Sequence, residues 1–352
     1  MRRLALASLA AFTLLGGASA QARTLAVGPG KTYNKPCAAI AAAHPGDTVQ
    51  IDARGNGRYD GDVCASSTAR LTIEGVHGRA RIAAAGASSQ GKAIWVLSGA
   101  HVVVRDVELS GARVPDRNGA AIRLEGGSLT LDRVYFHDDE DGILVANDPR
   151  IDLTITRSQF ARNGAGDGYS HNIYVGAIHR FTLRDSWSHD ARVGHLVKSR
   201  AAINDIVDNR LTGRRGTDSY ELDLPNGGRA RVTGNVIEQG PRTENPNMLA
   251  FGEEGAVAGS QLTLSDNTFV NDRPAGGTAV LIAPSVTRPA IVTDNIVTGA
   301  TTFVAQTTPK PRLRRNCLAR DPRFRNRKAY DYRLSAGSPC HGRGAPAAVA
   351  RP

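Results

Sequence analysis

Aromatic residues make up only 5% of the 352-residue chain, with two tryptophans and two methionines. So thin a supply of large side chains does not suit a helical bundle. It also does not suit a single-strand nucleic-acid binder, which needs aromatics interleaved with basic residues. Cysteine is scarce as well: the four residues lack the Cys-x-x-Cys spacing of a zinc site. Apolar runs are short after residue 15, and none later approaches the length of a membrane-spanning helix. The one long run, Leu4 to Leu15, follows Arg2 and Arg3 and leads into Gly16, Gly17 and the small residues Ala18-Ser19-Ala20. Residues 1–20 therefore read as a signal peptide, and the protein as exported to periplasm or medium.

Glycine is abundant, at 38 residues, which suits many tight turns around a core of Val, Ile, Leu and Ala. The formal charge is +11, and +9 once Arg2 and Arg3 leave with the signal peptide. A basic exported protein of this composition is expected to meet an acidic polysaccharide rather than nucleic acid, as a monomer without a transmembrane segment.

Self-similarity carries the most information. Segments such as LTITRSQF (153–160), LTLSDNTF (262–269) and IVTDNIV (291–297) alternate apolar and polar residues, then place a polar pair before another apolar position. Aligned on one column they give Val107, Val134, Ser158, Ser186, Asn209, Asn235, Asn267 and Asn295. The spacing varies around about 27 residues with strand-like alternation, which predicts a β-solenoid. The four asparagines are expected to form a ladder at a turn, each bonding the coils above and below.

The expected organisation is a signal peptide (1–20), an N-terminal cap with first strands (21–70), about nine coils (71–300), a C-terminal cap segment (301–344) and a loose tail (345–352). PCAAIAAA (36–43) predicts a short capping helix with Pro36 in its first turn. Four cysteines allow three pairings. Their clustering near the two ends makes Cys37–Cys64 and Cys317–Cys340 the economical choice, and export favours disulfides.

GPGKTY (28–33), AAIAAAHPGDTVQI (38–51), the repeated coils and DPRF with YDYRLSAGSPC (321–324 and 330–340) resemble exported right-handed parallel β-helix proteins of the pectate-lyase-like superfamily. The resemblance implies an all-β fold, a single right-handed parallel β-helix with a short N-terminal capping helix, and most often a carbohydrate-active enzyme.

A second strand follows the repeat in each coil, including HNIYVG (171–176), GHLVKSR (194–200) and SYELDLPN (219–226). Alternation turns Ile173, Val175, Leu222 and Leu224 inward. It turns Asn172, Tyr174, Glu221 and Asp223 outward, on rungs flanking His195, Lys198 and Arg200. His195 and Lys198 cannot both face out from a regular strand, so a bend is expected there. Adjacent rungs bring such groups within roughly 5–10 Å. For uronate polymers this set suits β-elimination: Lys198 or His195 as base, Tyr174 as acid, and Arg200 with Asn172 on the carboxylate. His171, Glu221 and Asp223 complete the expected binding face, and the same groups would serve C5 epimerisation.

IYVG followed by LVKSR is also similar to alginate-lyase- and chondroitinase-B-like lyases, which implies a catalytic role for Lys198. Residues 191–194 lack the metal-binding glutamates of those enzymes, and Glu221 and Asp223 stand where they carry an arginine. No cofactor is therefore expected, Ca²⁺ being the one candidate, at the acidic turn His137 to Asp141. That turn otherwise reads as a solvated loop, and Glu253-Glu254 as a surface turn. Two alternatives stand beside the lyase: a non-catalytic polysaccharide-binding envelope or matrix protein, and a glycoside hydrolase using Glu221 and Asp223.

Overall fold

The computed structural model describes residues 21–349, so the expected signal peptide lies outside the described residues. Alternation at a period of two produces strands of mostly three to five residues. They assemble into three parallel sheets of 12, 10 and 10 strands. The first sheet runs from Thr24–Val27 to Arg312–Arg314 and the second from Ala80–Ala83 to Cys317–Leu318. The third runs from Cys64–Ser66 to Thr302–Ala305. Each coil visits them in that order, forming a right-handed parallel β-helix of about 10 turns. Coil strands begin at Thr24 and end at Leu318, so the solenoid extends past the 71–300 span at both ends.

The corner between the first and second sheets is a single residue with positive φ: Asp106 (54°), Arg133 (52°), Asp208 (55°), Asp266 (56°) and their equivalents. Aspartate visits this left-handed region more readily than most residues. Arg133 pairs with Asp106, and Arg315 with Asp294, so oppositely charged corners neutralise each other along the column.

The residue after each corner points inward, and from Ser158 onward these residues build the expected ladder. Asn267 Oδ1 accepts from the backbone N–H (3.0 Å) and the side-chain amide (2.9 Å) of Asn235. Its own amide donates to Val232 O and Asn295 Oδ1. Ser158 and Ser186 extend the ladder one way and Asn316 the other. Beside it stacks an unbroken apolar column, Leu131, Ile155, Leu183, Ile206, Val232, Leu264 and Val292, all buried.

Helix Pro36–Ala42 covers the first coil, burying Pro36, Ala39 and Ile40 against Thr24–Val27, Thr48–Asp52 and Cys64–Ser66. Both expected disulfides are present, Cys37–Cys64 and Cys317–Cys340. The segment expected to cap the C-terminal end instead splits in two. Residues 302–318 supply the last coil strands, and the antiparallel hairpin Phe324–Asn326/Asp331–Leu334 lies along the second sheet. There Tyr332 packs on Val236 and Val270, and Arg214 donates to Arg327 O. Of the tail expected to be loose, Ala345 and Val349 rest against this same cluster.

Candidate active site

The third sheet carries one outward row whose members are in direct register: Arg123, Leu144, Tyr174, Lys198, Asp223 and Ala250. Tyr174 lies mid-strand in Ile173–Val175 and Asp223 in Leu222–Leu224, so pleating alone turns both outward while their neighbours enter the core. Between them the strand shrinks to Lys198–Ser199, because Leu196 and Val197 are both buried and break the alternation. This is how His195 and Lys198 reach the same groove.

Lys198 Nζ lies 3.5 Å from Asp223 Oδ2 and 3.0 Å from Glu254 Oε1. Arg200 holds the other oxygen of Glu254 at 2.5 Å, donates to Asn226 Oδ1 at 2.7 Å, and places its Nε 3.5 Å from the Tyr174 hydroxyl. Burial raises Asp223 to about 6 even though the Lys198 charge opposes it. Burial works on Glu254 in the same direction, but hydrogen bonds from Arg200 and Lys198 outweigh it and hold this acid below the usual carboxylate range. Glu254, expected on a surface turn, thus belongs to the cluster. Gly252, at φ 84°, turns the chain back after Asn247–Phe251, and Glu254 N–H donates to Pro225 O.

The two histidines are locked by backbone. His171 Nδ1 accepts from the His195 N–H at 2.9 Å, and His195 Nδ1 accepts from the Tyr220 N–H at 3.3 Å. The rings stack at 4.4 Å. Burial, then the Lys198 charge, pushes His195 down to about 3, and burial pushes His171 well below its ordinary value. Near neutral pH His195 is therefore uncharged, with its proton on Nε2, 3.5 Å from Asp223 Oδ2. Its one lone pair is occupied, so it is a donor in this groove.

Two residues expected on the outer face lie inside. Asn172 is fully buried: its Oδ1 accepts from the Asn163 N–H and amide, and its Nδ2 donates to Ser188 Oγ and His189 O. Glu221 is also fully buried, beside Asp218 rather than Lys198 or Arg200. In both cases the strand begins one residue later, at Ile173 and Leu222, so alternation does not govern the preceding position. Glu221 and Asp223 consequently do not flank a shared groove, so they are not the carboxyl pair expected of a hydrolase.

The acidic turn is likewise inverted. Asp139 accepts from Ala112 N–H, Glu140 from Val114 and Gly119 N–H, and Asp141 from His171 N–H. Asp138 pairs with Arg162 and Arg192. These carboxylates staple neighbouring loops instead of converging. Among the described residues no group of three or more His, Cys, Asp or Glu is arranged to hold a metal ion.

Buried acids make stability depend on pH. Burial raises Asp218 to about 7, Glu238 to about 7 and Asp223 to about 6, above the model-peptide range of about 4. Folding therefore favours their protonated forms. The stability they contribute is full below about pH 4 and is lost as pH rises through 6 and 7. Asp47 and Asp52 act oppositely, held low first by hydrogen bonds from Arg23 and Arg54, and weaken the fold when protonated in acid. The thermal midpoint is expected to peak near about pH 5 and to fall by several degrees by about pH 8. Asp218→Asn should flatten that fall in scanning calorimetry. A midpoint that rises from pH 5 to 8 contradicts this assignment.

The fold has counterparts among solved structures. The pectate lyase Pel9A aligns over 90% of this chain and 90% of its own, with a TM-score of 0.63 and 13% identity. The alginate lyase from Paenibacillus sp. str. FPU-7 aligns over 84% of this chain and 99% of its own, with a TM-score of 0.54 and 15% identity. No protein-family profile and no curated protein matches the sequence. At such identities the likeness is one of fold: the chain has the right-handed parallel β-helix that the resemblance of its repeats implied.

Proposed function

We propose that the protein is an exported lyase that cleaves an acidic, uronate-containing polysaccharide by β-elimination. The observation that carries this reading is the carboxylate of Glu254, held between Lys198 and Arg200 beside the Tyr174 hydroxyl. Two cations arranged around a carboxylate, next to a phenolic proton donor, match what the elimination requires. In this reading a uronate carboxylate takes the place of Glu254 on Arg200, which lowers the cost of carbanion character at the adjacent carbon. Lys198 Nζ serves as the base that takes the proton from that carbon. The electron pair forms the carbon–carbon double bond as the glycosidic carbon–oxygen bond breaks, and Tyr174 gives its proton to the leaving oxygen. Asp223 and the His195 Nε2–H position Lys198. The two disulfides fit an oxidising compartment.

Purified protein offered polygalacturonate, alginate and glycosaminoglycans is expected to generate ultraviolet-absorbing unsaturated ends from at least one of them. If it binds such polymers and alters none, it is a binding protein and the proposal fails.

A further inference from the structure

Upstream of Tyr174 the outward row continues into a cavity of about 500 Å³, within the range of sugar- or drug-sized sites. Its floor is the Leu144 and Tyr174 pair, part of a small apolar patch with Val96 on the outer face of the third sheet. One wall is a loop strap: Arg117 donates to Ala165 O and lies 3.3 Å from Asp167, tying the 111–119 loop to the 162–170 loop. The Asp167 carboxylate accepts from the Tyr169 N–H and so props up the ring of Tyr169, which lines the cavity while remaining 84% exposed.

Arg123 enters from the row itself. Its guanidinium makes no hydrogen bond to protein among the described residues, and its Nε is a buried donor without a partner. Glu125 Oε1 lies 3.1 Å from that Nε, out of line with the N–H, and spends its hydrogen bond on Lys92 at 2.7 Å. Asp116, Asp141 and Asp167 also line the cavity and balance Arg117 and Arg123, with burial pushing Asp141 well above the usual carboxylate range, so what distinguishes the site is an unused planar fork of donors beside an apolar floor and an exposed aromatic rim. A planar fork of this kind suits bidentate capture of a carboxylate.

We infer that this cavity is a binding subsite for a further uronate sugar of the same chain, its carboxylate on Arg123 and its ring against Tyr169 over Leu144. This inference rests on the lyase reading of the adjacent groove. Arg123 and Tyr174 are two rungs apart, roughly 10 Å, so a polymer lying along the solenoid axis reaches both. The subsite supplies ground-state binding and no proton transfer, which makes it a determinant of affinity and of preferred chain length.

The test uses calorimetric titration in a Lys198→Ala background, where ligand is not consumed. The probes are hexamers of galacturonate and mannuronate and a chondroitin hexasaccharide. Adding Arg123→Ala should weaken the hexamer that binds by about tenfold or more, Tyr169→Ala should weaken it less, and Arg123→Lys should restore part of the loss. Lys92→Ala, which removes the other partner of Glu125 without facing the cavity, should leave affinity within about twofold. In otherwise unaltered protein, Arg123→Ala should raise KM and spare kcat. If Arg123→Ala leaves hexamer affinity unchanged, the subsite is wrong and the lyase reading stands. If the Lys198→Ala protein binds none of the three probes, the uronate reading falls and the subsite with it.

Discussion

Lys198→Ala is expected to fold like the parent and to lose roughly 10²–10⁴-fold in turnover on the polymer it cleaves, the usual cost of removing a proton-transfer group. Folding should survive because the partners left behind tolerate the loss. Glu254 is half exposed and keeps Arg200, while Asp223, already raised to about 6, can take up a proton. His195→Gln supplies the contrast. A glutamine amide can still donate toward Asp223, and His195 has no free lone pair with which to act as base. Its loss of turnover is expected to stay below about tenfold. Should His195→Gln inactivate as fully as Lys198→Ala, the assignment of the base to Lys198 is wrong.

Asn267→Ala is expected to be strongly destabilising. Asn267 is fully buried and its side chain takes part in four hydrogen bonds spanning three coils. Its removal strands the buried Asn235 N–H and takes one partner each from the Asn235 amide, the Val232 carbonyl and the Asn295 oxygen. Losing these buried hydrogen bonds costs about 3–5 kcal/mol in all, a fall in thermal midpoint on the order of 10 °C. Ser265→Ala, one pair away, loses only a half-buried hydroxyl contact with Thr233 and should shift the midpoint by less than about 2 °C. Equal shifts for the two variants contradict the ladder as a main source of stability.

The solenoid was legible because its stabilising column is written in residue type: Asn209, Asn235, Asn267 and Asn295 recur one position after a turn. The turn residue itself was not legible. Asp106, Asp208 and Asp266 look like ordinary polar surface, and their positive φ follows only from the path between two sheets. Within the site, Tyr174 and Asp223 were readable because each sits mid-strand, where pleating decides direction. Asn172 and Glu221 were misplaced because alternation was carried one residue past the strand start. The side chains there are set by neighbouring loops: Asn163 and Ser188 capture Asn172, and Asp218 neighbours Glu221. Glu254 joins the groove through a glycine turn from the following coil. The one signal for it was a pair of acids just past Gly252 on a rung beside two cations.

The central claim is that this groove breaks glycosidic bonds by elimination, with no water consumed. Digestion in oxygen-18 water followed by mass spectrometry of the products tests it most directly. The expected result is a set of unsaturated, ultraviolet-absorbing new ends that carry no solvent oxygen, and their absence in the Lys198→Ala protein. Products that gain one oxygen-18 per cleavage, with saturated ends, would mean hydrolysis and would contradict the account.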